Sequence, residues 1–94
     1  MRRHIELILA LVFLAGCQSA PVQEMSDARQ AIEAARIAGA EQRAPADLEA
    51  AQADMVSAER HLQAQEYARA RDAALAAKHR AALAMALSRS SPPQ

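Results

Sequence analysis

Alanine at spacings of three and four residues is the feature that most constrains this fold. Small and apolar side chains recur at these intervals in three successive runs, so each run lies on one face of a helix. The runs are Met25, Ala28, Ile32, Ala35 and Gly39; then Leu48, Ala51, Met55, Ala58 and Leu62; then Tyr67, Ala70, Ala74, Ala77, Ala81 and Ala84. Because such seams suit close antiparallel helix packing, they predict an all-α fold, a small antiparallel bundle of three alanine-rich helices.

Short polar residues, glycine and proline place the ends of the first two helices. Ser26 or Asp27 is predicted to cap the first helix, because a short polar side chain satisfies the free amides of a first turn. Gly39 is predicted to end this helix, since glycine adopts the left-handed backbone common there. Pro45 suits the first turn of the second helix, and Asp47 adds negative charge at the positive end of its dipole.

A shift in the spacing of the apolar residues, and not a glycine or proline, indicates the break between the second and third helices. From Leu62 to Tyr67 the seam steps by five residues, which would rotate it by about 140° in a straight helix. We therefore expect a turn near Ala64 and Gln65, although neither is glycine or proline. The alternative is one long bent helix over 45–88, which would make the fold a helical hairpin.

Alanine also limits how much apolar surface this fold buries. Hydrophobic residues make up 52% of the 94-residue chain, and 26 of them are alanine. Alanine favours helix but contributes little buried area, and small domains are marginally stable even with larger side chains. A protein partner, a second copy of the chain or a membrane surface is therefore expected to stabilise the bundle.

The start of the chain is patterned as an export signal. Arg2 and Arg3 precede an apolar run over residues 7–13, which is too short for a membrane-spanning helix of about 20 residues. Leu14, Ala15, Gly16 and Cys17 follow, and these four residues resemble the lipobox of bacterial lipoprotein precursors. The resemblance implies cleavage after residue 16, a diacylglyceryl group on the sulfur of Cys17 and an acylated amino terminus. An ordinary secretory leader with an incidental cysteine is the alternative.

These signals divide the chain into four expected segments. Residues 1–16 are a lipoprotein signal peptide, 17–24 a lipidated tether, 25–88 the helical module and 89–94 a disordered tail. Gln18 follows the cysteine where lipoproteins retained in the inner membrane commonly carry aspartate. The resemblance therefore favours the periplasmic face of the outer membrane over the inner membrane.

Charge is distributed unevenly along the chain. Residues 17–94 carry 9 bases and 10 acids, so we expect no general affinity for nucleic acid. Residues 24–59 hold 8 acids and 3 bases, whereas residues 60–89 hold 6 bases and 2 acids. We favour attraction between acidic helices and a basic third helix. The alternative is contact with an anionic surface, peptidoglycan or lipid headgroups, through Arg69, Arg71, Lys78 and Arg80.

Residue types that carry catalysis are sparse. His61 and His79 lack the neighbouring ligands of a zinc site, and no serine stands in a glycine-flanked elbow. We therefore expect no enzyme activity, no metal and no cofactor apart from the covalent lipid. Leu75, Leu83 and Leu87 lie off the alanine seam and predict a second apolar face on the third helix, available to a partner.

The helical part also resembles a known family. Ser-Asp-Ala-Arg at 26–29, Arg-Ala-Pro-Ala-Asp-Leu at 43–48 and Glu-Tyr-Ala-Arg-Ala at 66–70 are similar to an alanine-rich domain of unknown function. That family occurs in small envelope lipoproteins and ahead of OmpA-like domains. The resemblance implies a lipid-anchored, non-catalytic structural or interaction module in the envelope, with a protein partner or self-association. Wall or headgroup binding through the basic helix is the alternative, and a lysis or toxin-type lipoprotein is a third.

Overall fold

The computed structural model describes residues 19–90, and every regular element within that range is an α-helix. The helices are α1 (Val22–Ile37), α2 (Ala40–Arg43), α3 (Pro45–Gln63) and α4 (Tyr67–Ser90). The long helices α1, α3 and α4 run up, down and up. The predicted all-α bundle of three alanine-rich helices is therefore confirmed, and the alternative of a single bent second helix is wrong.

Helix α1 starts earlier than its sequence signals indicate. The carbonyl of Pro21 accepts the amide of Met25 at 3.0 Å, so the first turn begins at Val22. The prediction that Ser26 or Asp27 caps this helix is wrong, because both residues lie inside it. Their side chains instead accept hydrogen bonds from glutamines four residues away, as members of the pairs Gln30–Ser26 (3.3 Å) and Gln23–Asp27 (2.8 Å). Residues 22–24 of the expected tether are consequently helical.

A one-turn helix that the sequence pattern did not predict connects α1 to α3. Gly39 has a φ of 93°, in the left-handed region, and its amide donates to the carbonyl of Arg36 at 2.9 Å. The carbonyl of Gly39 then accepts the amides of Gln42 and Arg43, which builds α2. Pro45 is the first residue of α3, as expected. Gly39 therefore ends one helix and starts the next.

The connection from α3 to α4 is a Schellman motif without glycine. Gln65 adopts a φ of 61° and its amide donates to the carbonyl of Leu62 at 3.0 Å. The amide of Glu66 donates to the carbonyl of His61 at 2.9 Å, which completes the second bond of the motif. The predicted turn near Ala64 and Gln65 is confirmed.

The core is asymmetric in side-chain size. Helix α4 packs against both α1 and α3, and these two helices contact each other less. The larger buried side chains come from α1 and α3: Met25, Ile32, Leu48 and Met55. The buried face of α4 consists of Ala70, Ala74, Ala77, Ala81, Ala84 and Ser88. We call this set the alanine seam of α4; its short side chains let the other two helices approach closely.

Helix α4 extends to Ser90, two residues beyond the expected end of the module. Ser88 is fully buried, and its Oγ donates to the carbonyl of Ala84 at 2.7 Å. Its own carbonyl accepts Nη1 of Arg43 from the α2 turn at 2.9 Å. The last turns of α4 are thereby held against the α1–α3 connection. The remainder of the expected tail, 91–94, lies outside the described residues.

Candidate functional site

The predicted lipid-attachment residues lie just ahead of the described chain. Leu14, Ala15, Gly16 and Cys17 fall outside residues 19–90, as does the expected signal peptide. The first described residue, Ser19, is held against the bundle, because its carbonyl accepts Nη2 of Arg71 in α4 at 3.4 Å. The chain therefore reaches the bundle within two residues of Cys17.

An open cavity of about 470 Å³ lies where the chain meets the bundle. It is lined by residues of the incoming chain, the α3–α4 turn and the first turn of α4: Ser19, Gln65, Glu66, Tyr67, Ala68, Arg69 and Arg71. We call this part of the molecule the entry end. Half-buried Tyr67 supplies the aromatic wall, while one carboxylate and two guanidinium groups make the rest of the lining polar. This composition suits contact with polar or charged groups.

A three-residue charge cluster stabilises the turn at the entry end. Nδ1 of His61 lies 3.0 Å from Oε1 of Glu66, and Nη1 of Arg69 donates to Oε2 of the same carboxylate at 3.1 Å. The hydrogen bond from His61, and then the positive charge of Arg69, lower the pKa of Glu66 below its ordinary value of 4.5. The sequence pattern does not indicate the contact between His61 and Glu66, because the Schellman turn, and not helical spacing, brings residues 61 and 66 together.

The four basic residues singled out from the sequence all take part in ion pairs. Three pairs bridge helices: Arg71–Glu24 at 3.3 Å, Lys78–Asp27 at 3.8 Å and Arg80–Asp54 at 2.9 Å. The fourth, Arg69–Glu66 at 3.1 Å, is local to the start of α4. This geometry matches the favoured interpretation, in which acidic helices attract a basic one. It does not gather the four cations into one patch.

Two further ion pairs connect the acidic helices. Arg29 of α1 lies 3.5 Å from Glu59 of α3, with both side chains about half exposed. Arg36 lies 3.7 Å from Glu33, one turn before it in α1, and 3.7 Å from Glu41 in α2. Exposed pairs of this kind contribute at most about 1 kcal/mol each.

The second apolar face predicted for the third helix is exposed. Leu75 is 46% exposed, Leu83 50% and Leu87 40%, whereas the alanines on the opposite side of α4 are fully buried. Ala82 and Ala86 are also exposed on this side. Helix α4 thus places a row of alanines inside the bundle and its three leucines outside.

Neither metal ligands nor a membrane-spanning segment occurs in the part of the chain that the structure describes. Within residues 19–90 no group of three histidine, cysteine, aspartate or glutamate side chains is placed to hold a metal ion. His79 is exposed on α4, and His61 is occupied by its contact with Glu66. No helix in the same range is long and apolar enough to cross a bilayer.

Comparison with protein families identifies the helical part of the chain. The profile described as a domain of unknown function, DUF4398, matches residues 23–92. The chain belongs to this family. The match begins one residue into α1 and extends past the last described turn of α4, so the whole three-helix bundle is the DUF4398 module. No curated protein and no solved structure gives a significant match to the chain.

Proposed function

We propose that this DUF4398 protein is a bacterial lipoprotein anchored through Cys17. The observation that carries the proposal is the sequence Leu-Ala-Gly-Cys at 14–17, preceded by an apolar run and two arginines. A thiol at this position accepts a diacylglyceryl group as a thioether, and cleavage before it frees an amino group for acylation. Two or three acyl chains hold a protein on a membrane stably, whereas a single chain does so only marginally.

The short distance between Cys17 and the bundle supports a structural role for the anchor. Two residues of extended chain span at most about 7 Å, and Ser19 is already bonded to Arg71. The bundle would therefore sit directly on the membrane rather than at the end of a long linker. Such confinement raises the effective concentration of the module for neighbouring envelope components. Gln18 after the lipidated residue favours the periplasmic face of the outer membrane.

The proposed activity is non-catalytic. The bundle offers an interaction module whose polar side chains are largely engaged in ion pairs between its own helices, including Arg71, Lys78 and Arg80. The partner of such a module is expected to be a protein of the envelope, a second copy of the chain or the membrane itself.

Metabolic labelling tests the anchor. Cells that express the full chain with a carboxyl-terminal tag are grown with radiolabelled palmitate and fractionated. We expect label in the native protein and in Ser19→Ala, which keeps the main-chain carbonyl bonded to Arg71, but none in Cys17→Ser. Gln18→Asp should shift the labelled protein towards the inner membrane. A native protein that takes up no palmitate, or a Cys17→Ser variant that stays equally membrane-bound, contradicts the proposal.

A further inference from the structure

The side of α4 that faces away from the bundle exposes apolar side chains. Four of them stand close together: Leu75 and Leu83, which are about half exposed and two turns apart, and Ala82 and Ala86 beside them, with exposed His79 midway between the two leucines. At 100° per residue these four side chains fall within roughly 100° of the helix circumference, opposite the alanine seam. We call this surface the outer face of α4. Its width is that of an amphipathic helix, although the helix already buries its other side.

Positive charge borders the outer face along both edges. Arg71 and Lys78 lie on the edge towards α1, and Arg69 and Arg80 on the edge towards α3. The acids that pair with Arg71, Lys78 and Arg80 belong to α1 and α3, so they stand farther back from this face. In each of these three ion pairs the basic residue therefore lies nearer the outer face than the acid does. Asp72, the one acid in the sequence of α4, is exposed and lies on the outer face itself, one turn before Leu75, so the surrounding bases outnumber the acid on this side.

The whole bundle is polarised in the same direction. Helices α1 to α3 carry the surplus of acids, 8 against 4 bases over residues 22–63. Helix α4 carries five bases and a single acid. A surface of negative charge would therefore attract the side of the molecule that α4 presents and repel the opposite side.

The size of the outer face argues against a freely diffusing occupant. A stable protein interface buries about 800 Å² on each partner, far more than a few half-exposed leucine and alanine side chains provide. A second copy packed on this face by a two-fold axis would also set each basic edge against a basic edge of its partner. A membrane to which the chain is already anchored needs a smaller contact area, because the anchor keeps the bundle beside it at high effective concentration.

We propose that the outer face of α4 lies on the anionic lipid headgroups of the membrane that holds the chain, an inference that rests on the proposed anchor at Cys17. In this arrangement α4 lies parallel to the membrane surface. Leu75 and Leu83 enter the boundary between headgroups and acyl chains, and the bordering arginines and lysine contact the headgroup phosphates. Helices α1 and α3 face away from the membrane. The bond from Arg71 to Ser19 places the incoming chain beside the same helix.

Spin labels at two matched positions test this orientation. Leu83→Cys on the outer face is compared with Val56→Cys on α3, since the native side chains are 50% and 54% exposed. Cys17 is the single cysteine of the chain, so after lipidation the introduced thiol is the one that reacts with the label. The purified lipidated protein is reconstituted in vesicles of phosphatidylethanolamine with phosphatidylglycerol, and in vesicles of phosphatidylcholine alone.

The readout is the collision rate of each label with oxygen and with a water-soluble nickel chelate. We expect the label at 83 to be protected from nickel several-fold relative to the label at 56, and to collide more often with oxygen. This difference should be larger in the vesicles that contain phosphatidylglycerol. Equal protection in both kinds of vesicle overturns the assignment to anionic lipid.

Two other results separate this inference from the anchor itself. If the protein is lipidated but the nickel chelate reaches both labels equally, the membrane-facing orientation is wrong and the anchor still holds. Line broadening between labels at 83 that grows with the ratio of protein to lipid identifies a second copy as the occupant, and overturns the inference as well. Protein whose mass lacks the lipid overturns the anchor, and the inference with it.

Discussion

Nη1 of Arg43 donates a hydrogen bond of 2.9 Å to the main-chain carbonyl of Ser88, joining two residues 45 positions apart in the sequence. The guanidinium group reaches the last turns of α4, where the helix dipole places partial negative charge. The one-turn helix α2 makes this contact possible, because it turns Arg43 back towards α4. This connection fastens the end of the bundle opposite the entry end.

We expect Arg43→Gln to destabilise the bundle by about 1–2 kcal/mol, because a charge-assisted, part-buried hydrogen bond is lost. Urea unfolding measures the change, and amide hydrogen exchange should show the loss of protection concentrated in the last turns of α4. Arg60→Gln is the control, since Arg60 is exposed and no ion pair within residues 19–90 includes it. Its effect should stay within about 0.5 kcal/mol. Equal effects of the two substitutions would contradict the proposed contribution of Arg43.

We expect substitutions at Gly39 and Gln65, the two residues with left-handed backbone, to have opposite effects on stability. Gly39→Ala should destabilise the protein by about 1 kcal/mol, because a side-chain-bearing residue is strained at its φ of 93°. The new Cβ would lie 3.9 Å from Cδ of Arg43, an ordinary contact, so backbone strain is the main cost. Gln65→Gly relieves the same kind of strain and should stabilise the protein by up to about 1 kcal/mol. Thermal unfolding of both variants checks the signs; a stabilising Gly39→Ala would refute this account.

Because α4 packs through its alanine seam, the cost of a larger side chain should depend strongly on which face of α4 carries it. Ala81 is fully buried against the other helices, whereas its neighbour Ala82 is exposed. Ala81→Leu should therefore destabilise the bundle by about 1–3 kcal/mol, since the larger side chain forces the helices apart. Ala82→Leu should change the stability by no more than about 0.5 kcal/mol. Unfolding in urea compares the two variants, and similar effects would show that α4 is not packed through this seam.

The seams were predictable from the sequence because each one repeats over several turns. Spacings of three and four residues identify the buried face of a helix, and Pro45 marks the beginning of α3 unambiguously. The attraction between acidic and basic helices was also predictable, since it depends on total charge. The individual partners, such as Asp54 for Arg80, were not. They depend on the relative rotation of α3 and α4, which packing determines.

Local backbone geometry accounts for the features that the sequence pattern missed. A four-residue helix such as α2 is too short to show any periodicity. The contact between His61 and Glu66 requires Gln65 to adopt the left-handed conformation, and glutamine is not a signal for it. The start of α1 was misplaced because Ser and Asp are typical N-cap residues, whereas Ser26 and Asp27 lie inside this helix and pair with glutamines one turn away.

The Glu66 cluster predicts an acid-dependent loss of stability at the α3–α4 turn. The pKa of Glu66 is lowered in the folded chain, so its contribution is fully present above the ordinary value of 4.5 and is lost as the pH falls through the lowered value. Wild-type protein should therefore lose stability on acidification more steeply than Glu66→Gln, which has no carboxylate to protonate. Urea unfolding at a series of pH values below 5 checks this difference. Parallel pH profiles would contradict it.

The two side chains that contact the Glu66 carboxylate, His61 and Arg69, should contribute unequally to its lowered pKa. The hydrogen bond from His61 is the larger cause and the charge of Arg69 the smaller, so His61→Ala should return the carboxyl closer to 4.5 than Arg69→Ala does. Carbon-detected NMR titration of the Glu66 carboxyl measures both shifts directly. Arg60→Ala is the matched control, because it removes a neighbouring cation on α3 without removing either partner of Glu66. If Arg60→Ala moves the pKa of Glu66 as far as His61→Ala does, the prediction is wrong. The pKa would then depend on the total charge at this end of α3 and not on the hydrogen bond across the turn.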